Sequence, residues 1–261
     1  MGKLINHELL GIEQKCSLLV KQAGSLLTKG FEVSQEIEYK DLRDMVSKLD
    51  IKVESFLREG LSNILPNSGF IVEEGENKQS GDYTWMIDPI DGTKNFVARA
   101  PFFYTQFALL YKNNPILSEI YQPISNQLFS AISGNGAFLN HIKIEANTRT
   151  KPEESIIDLD FRGIEDLDLK LKIFNELPKY FYRVRSSGGM FSPYLVTGAF
   201  DGYLDLFRTS KYFDIIPRIL LFKEAGLQAK YIEVKENKKI FICAKQDLFG
   251  FIENKIKQIF K

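Results

Sequence analysis

One stretch leaves this chain few ways to fold. Tyr83-Thr84-Trp85-Met86-Ile87 is a run of apolar and β-favouring residues, which predicts a buried strand, and Asp88-Pro89-Ile90-Asp91-Gly92-Thr93 follows it directly. Two carboxylates, three residues apart, stand where the strand is expected to end. Pro89 between them fixes its own φ and has no N–H to donate, so a turn is expected there. Such a turn gathers side-chain and carbonyl oxygens toward one point, and hard oxygen ligands suit a divalent cation such as Mg2+. Gly92-Thr93 then opens an expected helix whose first N–H groups suit an anion. Metal ligands and an anion cradle within six residues point to metal-assisted phosphate chemistry.

Other acids stand at element ends. Gly69-Phe70-Ile71-Val72 reads as a short strand ending at Glu73-Glu74. The run from Ile215 to Ala225 reads as a helix, with Asp214 as N-cap, Pro217 in the first turn and Gly226 as its stop. Asp44-Met45-Val46-Ser47-Lys48-Leu49-Asp50 precedes an amphipathic stretch through Leu65, with Ser47 as N-cap and Asp50 in the first helical turn. Taken singly, each acid has a bland role: a cap, a solvated turn, or a favourable charge at a helix start. Four acidic elements together make a constellation, and constellations identify sites.

Trp85-Met86-Ile87-Asp88-Pro89-Ile90-Asp91-Gly92-Thr93-Lys94-Asn95-Phe96-Val97 resembles the first signature of the inositol monophosphatase family of Mg2+-dependent, lithium-sensitive phosphatases. Phe213-Asp214 and Lys223-Glu224-Ala225-Gly226 resemble the second, and Gly134-Asn135-Gly136-Ala137-Phe138-Leu139-Asn140 is similar to a further family segment. The resemblance implies an α/β (α+β) fold, the layered α-β-α-β-α sandwich of the inositol monophosphatase/fructose-1,6-bisphosphatase type. It implies one unit over residues 1–261, with lobes 1–148 and 149–261 and the active site between them. By the same resemblance, Glu73, Asp88 and the Ile90 carbonyl would hold one metal, and Asp88, Asp91 and Asp214 a second, with Asp88 bridging. Asp50 and Thr93, with Glu73, would serve catalysis by orienting the attacking water, and Glu74 and Lys94 would stand behind them. Asp91, Gly92, Thr93, Gly189 and Arg208 would contact substrate. The implied cofactor is two or three Mg2+ ions, with Mn2+ as a substitute and Li+ as an inhibitor. The implied partner is a small phosphorylated metabolite, and the implied assembly a homodimer.

Substrate identity stays open. Family members acting on inositol phosphates usually carry a Glu seven residues before the second-signature Asp, and here that position is Phe207. Arg208 and Lys211 follow, either as solvated loop cations or as partners for a second phosphate or a carboxylate. Lys94 fits members that hydrolyse 3′-phosphoadenosine 5′-phosphate, whereas Asn95 fits the inositol and archaeal-type fructose bisphosphatase branch. Ile215-Ile216-Pro217 stands where Ala-Ala-Gly is usual, Phe213 replaces a Trp, and Leu227 replaces a second Gly. A non-catalytic binding or regulatory protein that kept the fold is the alternative from another class. His7 and His141 lie outside every motif, and Ser186-Ser187-Gly188-Gly189 lacks a nucleophile-elbow context.

Composition narrows the class. Lys+Arg and Asp+Glu both number 34, which argues against a nucleic-acid polymer as partner. Two cysteines, Cys16 and Cys243, sit in apolar runs and read as buried free thiols. With no long apolar span and no signal-peptide pattern at the start, the expectation is a cytoplasmic protein with no membrane partner. Ile5, Leu9, Ile12, Cys16, Leu19, Ala23 and Leu26 make a helical stripe, and Leu49, Val53, Phe56, Leu57, Leu61 and Ile64 a second. Strands are expected over 102–111, 116–121 and 128–132, the first two joined by the turn quartet Lys112-Asn113-Asn114-Pro115. Beyond the polar stretch from Asn147 to Glu154 the pattern predicts strands at 156–160 and 182–185, and helices at 166–177, from Ser192 to Thr197, and at 247–261.

Overall fold

The computed structural model describes residues 4–33, 37–39, 45–146, 149–162, 164–206, 212–235 and 238–260. The chain divides into two compact units, one of residues 1–143 with 211–221, the other of residues 144–210 with 222–261.

The first unit opens with helix α1 (Asn6–Glu32), whose Leu9, Ile12, Cys16, Leu19, Val20, Ala23 and Leu27 fall at helical steps and are buried. Ile5, expected in this stripe, is 57% exposed. It caps the helix instead, its N–H donating to Glu8 Oε2 at 2.9 Å, and Leu4 takes the buried place. The short antiparallel strands β1 (Ile37–Tyr39) and β2 (Met45–Ser47) lead into helix α2 (Lys48–Ile64). Val53, Leu57 and Leu61 of α2 are buried, and Asp50 is in its first turn. At Gly60 a Cβ would meet Leu19 Cδ1 at 2.4 Å, so glycine there lets α2 lie against α1.

A seven-stranded sheet follows, built from β3 (Gly69–Val72), β4 (Tyr83–Asp91), β5 (Tyr104–Tyr111), β6 (Asn114–Gln122), β7 (Gln127–Ile132), β8 (Gly136–Leu139) and β9 (Ile142–Ile144), in that spatial order. The short helix α3 (Thr93–Val97) lies between β4 and β5 in sequence. β3 is parallel to β4, and β4 to β8 pair antiparallel. The expected turn quartet contracts to Lys112 and Asn113, both at positive φ, as a two-residue hairpin of right-handed twist requires. β6 already starts at Asn114, and Pro115 is accommodated beside a register shift at Leu109/Leu110.

Alternation along the strands sorts the side chains. Trp85, Ile87, Phe107 and Leu109 share a core with α1 and α2, and Trp85 meets Phe107 edge to face at 5.8 Å. Met86, Ala108 and Leu110 form the opposite face, packed with Phe213 and Ile216. Asp88 and Gln106 continue that second face by period two.

The second unit holds a five-stranded sheet in the order β11-β10-β12-β14-β13, from β10 (Ile156–Asp160), β11 (Arg183–Arg185), β12 (Gly202–Leu206), β13 (Gln228–Lys235) and β14 (Lys238–Ala244). β10 is parallel to both β11 and β12, and β14 antiparallel to both β12 and β13. Helix α4 (Leu167–Glu176) is capped by Asp166, whose side chain accepts from the Leu169 N–H at 3.0 Å. The expected helix at Ser192–Thr197 is a single 3-10 stretch with Pro193 near its start. Helix α5 (Tyr212–Glu224) precedes β13, and helix α6 (Gln246–Ile259) buries Leu248, Phe249, Ile252, Ile256 and Ile259. Cys16 and Cys243 are buried free thiols, as expected. None of the described helices is long and apolar enough to cross a membrane.

Two expectations about the site-bearing elements need correction. β4 does not end at Asp88 but runs to Asp91, with its register against β5 shifting between Asp88 and Asp91. A bulge of that kind absorbs a proline inside a paired strand without demanding its missing N–H. Helix α5 begins at Tyr212, so Asp214 is in the first turn rather than at the N-cap, and Pro217 is inside the helix. The expected stop holds: Gly226 (φ 83°) donates to Lys223 O at 3.0 Å and Leu227 to Phe222 O at 2.9 Å, the paired bonds of a Schellman end.

Candidate metal centre

Strand register decides what faces Asp88 and Asp91. Gln106 of β5 stands directly across from Asp88, and Tyr104 across from Asp91. Both aspartates are buried. After Asp91 the chain turns at Gly92 (φ 91°), a conformation that suits glycine, and Thr93 Oγ1 donates back to the Ile90 carbonyl at 2.9 Å.

Helix α5 supplies the rest. Asp214 and Arg218 are four residues apart and so share one helix face. One carboxylate oxygen each from Asp88, Asp91 and Asp214 lies within 4.8 Å of the other two. Gln106 Nε2 donates to Asp88 Oδ2 at 3.0 Å and reaches the carbonyls of Phe213 at 3.5 Å and Asp214 at 3.4 Å. Pro217 explains part of this. It has no N–H to give the carbonyl four residues back, that of Phe213, and the Gln106 amide stands there instead. Arg218, 6% exposed, pairs through Nη2 with Asp91 Oδ2 and donates from Nε to Gln106 Oε1 at 3.3 Å. Its guanidinium carbon lies 5.6 Å from the centre of the Tyr104 ring.

Burial pushes the Asp88 carboxyl well above its ordinary value, and the charges of Glu73, Asp91 and Asp214 push it further, against the Gln106 hydrogen bond. Its Oδ1 is buried without a hydrogen-bond partner among the described residues. Three carboxylates from two elements, all hard oxygen donors converging in a buried place, fit a divalent cation.

The other expected site residues distribute as follows. Glu73 follows β3 and acts on Asp88 by its charge, but it is outside the group of three. The Glu74 N–H donates to Glu54 Oε2 at 2.8 Å. Asp50 is buried at the start of α2, and Lys94 is exposed on α3. Gly189, in the second unit, has φ 84°, and a Cβ there would meet the Tyr203 hydroxyl at 2.7 Å. Asp44, Phe207, Arg208 and Lys211 lie outside the described residues. Gln106 and Arg218 are functional candidates that sequence reasoning missed. Each had a signal: a lone amide inside the apolar run 102–111, and a lone guanidinium in the apolar run of α5, one turn after Asp214.

The model of the inositol monophosphatase family matches residues 12–249, and the chain belongs to that family. It is 31% identical over 216 residues to inositol monophosphatase 2 of Solanum lycopersicum, covering 79% of this chain and 82% of that protein. Among solved structures it is similar to the extragenic suppressor protein suhB of Bartonella henselae, with 25% identity and a TM-score of 0.85, over 96% of this chain and 98% of that one. It also shares its fold with an IMPase/NADP phosphatase complexed with Mg2+ and phosphate, at 24% identity and a TM-score of 0.79, over 97% and 96% of the two chains.

Proposed function

We propose that the protein is a Mg2+-dependent phosphatase that hydrolyses a small phosphate monoester, an inositol phosphate or a sugar phosphate. The observation that carries this reading is the convergence of Asp88, Asp91 and Asp214 within 4.8 Å in a buried place. The similarity to a tomato inositol monophosphatase supports it, as does the shared fold of a phosphatase holding Mg2+ and phosphate. When bound there, the cation would neutralise phosphate oxygens and acidify a water.

The chain's own residues have separable tasks in this reading. Asp88, Asp91 and Asp214 hold the cation, with Glu73 and the Ile90 carbonyl beside them. Gln106 fixes the Asp88 carboxylate by its bond to Oδ2, and Oδ1, which has no hydrogen-bond partner among the described residues, would be available to the cation. Thr93 and Asp50 position the attacking water, and the turn at Gly92 carries the substrate phosphate. By the family resemblance, Gly189 and Arg208 add substrate contacts. The active protein is a homodimer.

The test is phosphate release at saturating Mg2+ from inositol 1-phosphate, fructose 1,6-bisphosphate and 3′-phosphoadenosine 5′-phosphate, compared by kcat/KM. One substrate should be turned over, the rate should vanish with a chelator, and Li+ should lower it. A second reading, a binding protein that kept the fold, draws on Arg218, which neutralises Asp91 without any metal. No Mg2+-dependent release from any of the three substrates would favour it.

A further inference from the structure

Arg218 is an unusual neighbour for a cation site. A guanidinium keeps its charge at any pH the protein meets, so this charge cannot be discarded when a metal arrives. Nor is it free to swing into solvent. It is buried, held by Asp91 Oδ2 and Gln106 Oε1, and stacked near Tyr104. That pairing uses part of the capacity that Asp91 could offer a metal. Charge leads the same way. Asp88, Asp91, Asp214 and Glu73 bring negative charge to this place, and the Arg218 guanidinium already offsets part of it. A fixed positive charge inside the cluster weakens the attraction left for a further divalent cation.

We propose that Arg218 is a resident cation of this cluster: paired with Asp91, it takes the place of one divalent ion and leaves the remaining carboxylate oxygens of Asp88, Asp91 and Asp214 to a single ion. The inference rests on the metal-dependent reading given above and deepens it. Its sequence basis is local, because an arginine one helical turn after Asp214 faces the same way as Asp214 itself. The Gln106 side chain completes the device. Its amide nitrogen holds Asp88 while its oxygen holds Arg218, so one residue keeps the metal-binding carboxylate and the internal cation in fixed relation.

The experiment counts Mn2+ bound to the full chain by electron paramagnetic resonance, with far-UV circular dichroism to check the fold. The wild type should bind one ion tightly. Arg218→Gln should bind a second ion, or bind Mn2+ about tenfold more tightly, as removal of a buried like charge requires. Arg218→Lys, which keeps the charge, should stay near the wild type. Should Arg218→Gln be unfolded without metal, added Mn2+ should restore its circular dichroism, and failure to do so would overturn the proposal. Equal stoichiometry and affinity in wild type and folded Arg218→Gln would also overturn it, reducing Arg218 to a structural ion pair. Absence of Mn2+ binding in every variant would bring down the metal-dependent reading itself, and this proposal with it.

Discussion

Two groups of buried acids lie on opposite faces of the same seven-stranded sheet, and they have solved the same electrostatic problem differently. Asp88, Asp91 and Asp214 are on the face shared with α5. Glu119, across the β5–β6 pairing from Phe107, points to the α1 face. There Ser17 Oγ lies 3.0 Å from Glu13 Oε1 and 3.1 Å from Glu119 Oε1, and Ser130 Oγ lies 3.4 Å from Glu13 Oε1. His141 Nδ1 is 3.8 Å from Glu13 Oε1 on a half-exposed ring beside Lys21, whose charge also acts on Glu119. Burial, then the charge of Glu13, pushes the Glu119 carboxyl well up. On that face burial favours the protonated form of Glu119, and two serine hydroxyls bond the acids. On the other face a guanidinium and an amide are placed to manage three carboxylates. Both groups contain a carboxylate oxygen without a hydrogen-bond partner among the described residues, Glu119 Oε2 and Asp88 Oδ1. An orphaned oxygen is thus a weak sign of a metal site, and the convergence of three carboxylates around fixed partners is the stronger one.

The largest effect that can break this comparison is on turnover. Asp88→Asn should cut kcat/KM at least about a hundredfold with the fold intact, whereas Glu119→Gln should leave it within about twofold. Steady-state assays at saturating Mg2+, with thermal melts as a control on folding, measure both. Comparable losses in the two variants would mean that the Glu119 group also serves the chemistry.

Stability against pH sharpens the contrast on the other face. The folded state raises the Glu119 pKa, so the protonated form is favoured in the native protein, and its contribution is full at acid pH and lost as pH rises. Gln at this position cannot ionise. The melting temperature of Glu119→Gln should equal that of the wild type near pH 5 and exceed it by about 2–4 °C near pH 8. A pH-independent difference would show that Glu119 is charged in the native state, with the nearby Lys21 offsetting it.

A further pH effect is expected in the second unit, where the buried Asp158 is bonded to a serine and feels the charges of Asp160 and Arg162. Asp158 accepts from the Ser187 N–H at 2.9 Å and from Ser187 Oγ, and burial raises its carboxyl to about 6 in spite of those bonds. The sign is the same: stability from this group is full below the ordinary aspartate range and is lost as pH climbs to about 6, a change of roughly 3 kcal/mol at most. Urea unfolding of Asp158→Asn should show a flatter dependence between about pH 4 and 7 than the wild type. Parallel pH profiles would indicate that Asp158 keeps its ordinary pKa.

Helix and strand identity, and the acids at their ends, were readable because they rest on local pattern. The stripes of α1 and α2, the stop at Gly226, and the strands at 69–72, 128–132 and 156–160 all follow from periodicity and turn chemistry within a few residues. Family membership followed from the same short stretches. Errors fell where a long-range partner overrode a local rule. Pro89 predicts a turn, but pairing with β5 carries β4 past it through a register shift. Asp214 reads as a cap and Pro217 as a first-turn proline, yet α5 starts earlier, with Gln106 standing at the Phe213 carbonyl that Pro217 cannot serve. The sequence alone determined which residues carry charge, which faces of helices and strands are apolar, and that Asp88 and Asp91 flank a proline next to a buried strand. Only the tertiary structure decided that Gln106 faces Asp88, that Arg218 pairs with Asp91, and that Glu119 is turned to the opposite face, because strand register and helix docking bring together residues 18 to 127 positions apart. No local pattern encodes such pairings.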